Sequence, residues 1–190
     1  YKVSFPAEFH AQTAAEAAIS ISNKLKGRID EIEEILISTQ EPGVRIISKR
    51  GPLTNYADRD HCIEYIVAWC LINGNLSSDS YSDEAAMDEN IDILRNITRT
   101  IEDKKYTEKY YDLSERAIPN KVRVKLKCGE TFEEEVLYPL GHKKRRDESK
   151  PFLREKFCKS IENKDFDKAK LISFYDENDL DSINIYDLLD

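Results

Sequence analysis

An α+β fold, a two-layer domain with helices packed on one face of a mainly antiparallel sheet, is predicted by three features of the sequence. Residues 121–138 alternate as KVRVKLK, turn at Cys128, Gly129 and Glu130, and return as TFEEEVLY, the pattern of a hairpin with one packed and one wet face. Helical periods over residues 7–27 and after Gly51 are long enough to cover such a sheet. Strand and helix signals interleave along the chain instead of falling into separate blocks.

The elements follow in order. KVSF reads as a short strand ended by Pro6, and residues 7–27 read as a helix with Ala14, Ala15, Ala18, Ile19, Ile21 and Leu25 at helical spacing and Gly27 at its end. Residues 32–40 end in β-branched side chains and predict a strand; VRIISK, after the Glu41, Pro42, Gly43 turn, predicts another. A polar turn from Gly51 then runs into a helix that stops at Gly74. On that helix Cys62, Ile63, Ile66, Val67, Cys70 and Leu71 form a core stripe, and His61, Tyr65 and Trp69 form a separate row one turn apart. Residues 81–96 carry two short helical patterns with Met87, Ile91 and Leu94 inward, residues 98–102 a strand, and residues 104–116 a loop. A helix over residues 151–161 and an acidic, intermittently apolar tail over residues 174–190 close the chain.

Composition excludes several classes. The 190 residues are 40% hydrophobic and 35% charged, enough for one domain with a core or for a domain with an appendage. No apolar run reaches the roughly 18 residues of a membrane helix. A formal net charge of −8 argues against a general nucleic-acid binder, which needs a broad basic surface. The four cysteines are scattered without a CxxC pair or a histidine at ligand spacing, so zinc and iron-sulfur sites are not predicted and free thiols are. No phosphate-binding glycine loop and no GxSxG elbow occurs. The chain opens on Tyr1 with no signal-peptide pattern, as expected of a piece of a longer protein.

Three histidines, His10, His61 and His142, each lie beside polar or cationic groups. Lys2 and Glu8 neighbour the first, Arg59, Asp60 and Tyr65 the second, and the basic run from Lys143 to Arg146 the third. Such a set suits a polyanionic small molecule, because Arg neutralises carboxylates while His and Tyr donate or move protons. The run HKKRR has three readings: a nucleic-acid patch, which the acidic balance disfavours; a solvated loop; or a positive rim beside the next helix N-terminus.

The segments FPAEFHAQTAAEAA (residues 5–18), GPLTNYADRDHCIEYIVA (residues 51–68) and YPLGHKKRRDESKPFLREKF (residues 138–157) resemble, in order, the C-terminal part of the iron-sulfur-independent 2-methylcitrate dehydratase family, whose superfamily also holds cis-aconitate decarboxylase and iminodisuccinate epimerase. The resemblance implies an α+β lid domain over residues 1–146 and a C-terminal helical return segment with the acidic tail over residues 147–190. The family's large N-terminal helical domain would be absent, and with it part of the cleft and the surface that forms a homodimer. The implied reaction is elimination of water from 2-methylcitrate, without cofactor or metal. The resemblance makes Lys2, His10 and Tyr65 catalytic candidates, with Arg59, His61 and Arg145 as candidates for binding a tricarboxylate. Decarboxylase or epimerase activity and a noncatalytic interaction module are the alternatives. A composition rich in Lys, Asn, Ile, Asp and Tyr fits a eukaryotic microbe, hence the mitochondrial matrix, with a bacterial cytoplasm as the alternative.

Overall fold

The protein is described by a computed structural model covering residues 3–165 and 167–176. Among these residues the sheet has four strands, β1 (Ile32–Thr39), β2 (Thr98–Glu102), β3 (Asn120–Leu126) and β4 (Thr131–Val136), in the order β2-β1-β3-β4. Only β1 and β2 run parallel, and β1, β3 and β4 are antiparallel neighbours. The predicted α+β class and the hairpin are both present.

Alternation along β3 buries Val122, Val124 and Leu126 and turns Lys121, Arg123 and Lys125 away from the core. A bulge between Ile32 and Glu34 shifts the phase of β1 against β3. Ile32 and Ile35 therefore both reach the core although they stand three positions apart. On the outer face Lys125 meets Glu33 at 2.8 Å and Lys121 meets Glu133 at 3.6 Å.

The core face is covered by α1 (Gln12–Leu25), α4 (Ile63–Asn73) and α5 (Glu89–Ile97). Small side chains, Ala14, Ala15, Ala17 and Ala18, let α1 approach α4 and the β3–β4 hairpin closely, and Ile21 and Leu25 complete its buried stripe. Lys26 in the left-handed region (φ 51) and Gly27 (φ 84) end α1. α4 stops at Gly74, whose φ of 65 lets its N–H return to the Cys70 carbonyl.

Several expectations are corrected. Val3–Phe5 of the predicted first strand take bends and irregular backbone, and Tyr1 and Lys2 lie outside the described residues. The predicted second strand of that region is a helix, α2 (Glu41–Ile47). Pro42 sits in its first turn, where the missing N–H costs nothing, and Gly43 packs so closely that a Cβ would come 2.6 Å from the Thr39 hydroxyl oxygen. Close packing here overrides the strand preference of Val44, Ile46 and Ile47. Residues read as loop form α6 (Lys104–Tyr111), capped by the Asp103 carboxylate on the Lys105 N–H at 2.9 Å. Met87, predicted inward, is 78% exposed in a single 3₁₀ turn, whereas Ile91 and Leu94 are buried.

The helix expected after Gly51 is broken. Asn55 caps a short α3 (Tyr56–Asp60), His61 leaves helical geometry (φ −106, ψ 25), and α4 restarts after Cys62. His61 consequently sits in the turn between the two helices, Tyr65 lies on α4, and the two share no helix face. The predicted core stripe through Cys62, Ile66, Cys70 and Leu71 is buried, and Tyr65 is buried with it. The last helices among the described residues are α7 (Arg146–Ile161), which begins before the predicted Pro151, and α8 (Lys168–Asp176). Most of the acidic tail lies outside the described residues.

Candidate active site

The chemistry-bearing side chains collect where the segment leading into α1 meets α3 and α6. Glu8 opens a 3₁₀ turn (Phe9–Ala11), its carboxylate accepting from the His10 N–H at 2.7 Å. The same carboxylate lies 3.0 Å from His10 Nδ1, and His10 Nε2 lies 3.2 Å from the Tyr110 hydroxyl. The His10 carbonyl accepts from Asn120 Nδ2 at 2.7 Å, which fixes the residue to the start of β3. His10 is thus 6% exposed with both ring nitrogens engaged.

Burial would raise the Glu8 pKa, but the hydrogen bonds from the His10 ring and N–H outweigh it and hold the carboxyl below its ordinary range. A depressed carboxylate contributes stability above its unfolded value and loses it as pH falls through the folded one. Glu8→Gln is therefore expected to cost about 1 kcal/mol at neutral pH. The gap from wild type should close as the pH drops below 4.5, the ordinary glutamate value, in thermal unfolding followed against pH.

A second carboxylate–imidazole pair adjoins the first. Asp60 pairs with His61 Nδ1, and the Glu8 N–H donates to the Asp60 carbonyl at 3.3 Å. Asp60 and Tyr56 also line an open cleft of about 470 Å³ bounded by residues 3–6, the turn at Leu76–Ser78 and the α7 side chains Phe152 and Lys156. The structure therefore brings His10 and His61 into one neighbourhood.

The other candidates are placed differently. Tyr65 is 2% exposed, its hydroxyl donates to the Ser80 carbonyl at 2.7 Å, and burial pushes its pKa up to about 12. Arg59 is buried, donating to the Tyr81 carbonyl at 2.7 Å and pairing with Asp83 at 2.8 Å. Arg145 forks onto Glu16 at 2.7 and 2.9 Å and onto Glu148 at 2.8 Å. The neighbouring cations are also engaged, Lys143 on the Ser114 carbonyl at 2.6 Å and Lys144 on Glu115 at 2.6 Å. The basic run clasps the loop before β3 to the segment before α7. His142 lies stacked on Tyr138 with centroids 4.7 Å apart, and burial lowers its pKa. Lys2 falls outside the described residues.

Two residues escaped the sequence reading. Tyr110 lay in the stretch read as loop, yet Tyr106 and Tyr110 stand one helical turn apart and both face inward, a signal that was present. Glu64 at the start of α4 accepts from Ser48 and Thr100 hydroxyls, each at 2.6 Å, and from the Lys49 N–H at 3.2 Å. It anchors the loop after α2 from beneath, and no local pattern announces it. Among the described residues no three His, Cys, Asp or Glu side chains converge as a metal ion would require.

A mixed sheet under a helical layer, carrying paired carboxylates and imidazoles at one end, is a domain equipped to hold titratable groups beside a cleft. Residues 5–172 match the model of the MmgE/PrpD C-terminal domain, and the chain belongs to that family. It is 50% identical over 165 residues to the mitochondrial 2-methylcitrate dehydratase of Yarrowia lipolytica, covering 85% of this chain and 32% of that protein. Identity to 2-methylcitrate dehydratase of Escherichia coli K12 is 45% over 161 residues, covering 83% of this chain and 33% of the relative. For the enzyme of Cupriavidus necator it is 48% over 160 residues, covering 82% and 33%. The chain spans about a third of the length of the curated relatives it matches. No described helix is long and apolar enough to cross a membrane.

Proposed function

We propose that this chain is the C-terminal part of an enzyme that eliminates water from 2-methylcitrate to give 2-methyl-cis-aconitate, working by general acid–base chemistry without a metal. The observation that carries the reading is the 50% identity, over 85% of this chain, to a protein named for that activity. The reaction needs a base for a weakly acidic proton beside a carboxylate, an acid for the departing hydroxyl and cations to offset growing charge. His10 is the acid–base group, held by Glu8 and Asn120, and Lys2 is the candidate partner base. His61, exposed and paired with Asp60, contacts the substrate. Tyr65, Arg59 and Arg145 reach a tricarboxylate only by leaving the Ser80, Asp83 and Glu16 partners they hold here.

The rest of the site belongs to a large helical domain outside these residues, through which the full-length enzyme forms a homodimer. Residues 1–146 are the lid and residues 147–190 the return segment of that arrangement. The compartment is the mitochondrion, as in the Yarrowia relative's name, with the matrix as its site and the bacterial cytoplasm as the alternative. Turnover is read from the ultraviolet absorbance of the new conjugated double bond. The full-length enzyme carrying this chain is expected to produce it, and the purified 190-residue chain alone is not. Carbon dioxide release in place of water loss would move the enzyme to the decarboxylase branch, and turnover by the chain alone would overturn the shared site.

A further inference from the structure

The hydrogen-bonded series Glu8, His10, Tyr110 has a polarity that follows from its end members. An ionised carboxylate only accepts, so His10 Nδ1, 3.0 Å from Glu8, carries a proton. In the neutral ring Nε2 is then the bare nitrogen, and the Tyr110 hydroxyl 3.2 Å away donates to it. A phenol has one proton. With that proton turned inward, the lone pairs of the Tyr110 oxygen are what remains to meet a ligand, and they accept.

The exposure pattern points the same way. His10 is 6% exposed with both nitrogens occupied, and Tyr110, half-buried, is the more exposed of the two. Tyr110 rests on α6, which is tied down one turn earlier through adjacent residues: Tyr106 pairs with Glu135, and the Glu41 N–H donates to the Thr107 hydroxyl at 2.9 Å. We propose that Tyr110, oriented by His10 and Glu8, reads the substrate's hydroxyl group by accepting its O–H, and so sets the preference for a hydroxylated polycarboxylate over the unsaturated acid. Burial raises the Tyr110 pKa, which keeps its own proton in place for this orientation.

The inference rests on the dehydratase reading, in which substrate and product differ by that hydroxyl. It is tested by equilibrium binding of citrate and of cis-aconitate to the full-length enzyme, with no turnover required. Tyr110→Phe is expected to weaken citrate about tenfold, the loss of one hydrogen bond, and to change cis-aconitate by less than about twofold. Equal weakening of both acids, or of neither, overturns the assignment. If Tyr110→Phe does not fold, Glu8→Gln serves, because a neutral amide no longer forces the tautomer and the discrimination should shrink; full retention of it overturns the assignment. Nitrogen-15 spectra of labelled histidine in the same enzyme should show His10 protonated on Nδ1 and bare on Nε2, and the reverse tautomer contradicts the series. Failure of the enzyme to dehydrate 2-methylcitrate would remove the functional reading while leaving the two binding ratios to be scored separately.

Discussion

Replacing His10 by alanine in the full-length enzyme is expected to lower kcat by about 10²–10⁴-fold, the range for losing a positioned acid–base group. Truncation also strips Glu8 of its ring partner, so part of the effect would be structural. His10→Gln separates the two: its amide keeps a donor for Glu8 but has no titratable nitrogen, so thermal stability should recover while kcat does not. Saturating-substrate rates within about threefold of wild type for either variant would remove His10 from the chemistry.

Glu64→Ala is expected to lower stability by about 3 kcal/mol or more, because one buried carboxylate satisfies two hydroxyls and a backbone N–H. For a chain of this size that corresponds to a fall in Tm of roughly 6–12 °C. Glu64 is 1% exposed, so water does not replace the lost acceptor. Glu64→Gln should cost less, since its carbonyl oxygen keeps part of the set while its amide faces a donor. Amide hydrogen exchange of the loop over residues 48–55 should rise in step with the loss. An unchanged Tm for Glu64→Ala would show that the loop is anchored elsewhere.

How legible the structure was depended on whether the determining force was local. β3, β4 and α1 announce themselves because burial on one face imposes a period of two or of 3.6 on their side chains. α2 does not, because VRII favours strand locally and becomes helical through the fit of Gly43 against Thr39 and Gln40. α6 hides because its inward face is built from Tyr106 and Tyr110 with no aliphatic stripe. The break at His61 and Cys62 reverses the expected geometry of the His61, Tyr65 row without any glycine or proline to mark it.

The site divides along the same line. His10 and its neighbour Glu8 are two residues apart and could be paired on paper, whereas Tyr110 comes from a distant helix and needed the fold. Arg59 and Arg145 looked like ligand cations because Asp83 and Glu16 are remote in sequence, although Arg145 also has a near partner in Glu148. A cation is legible in one dimension; its neutralising partner is not.

The central place of β1 sets the order in which this domain can be assembled. β1 is the first strand of the sheet to leave the ribosome, yet both of its partners, β2 and β3, are made much later. The β3–β4 hairpin closes locally within microseconds, while docking β1 must pay the entropy of long loop closures on both sides. Until then Ile32, Ile35, Leu36 and Ile37 stand as an apolar strand with two open edges. The nascent chain therefore carries an aggregation hazard at a strand that later becomes paired on both edges, and shielding it is a task for chaperones rather than for the finished fold.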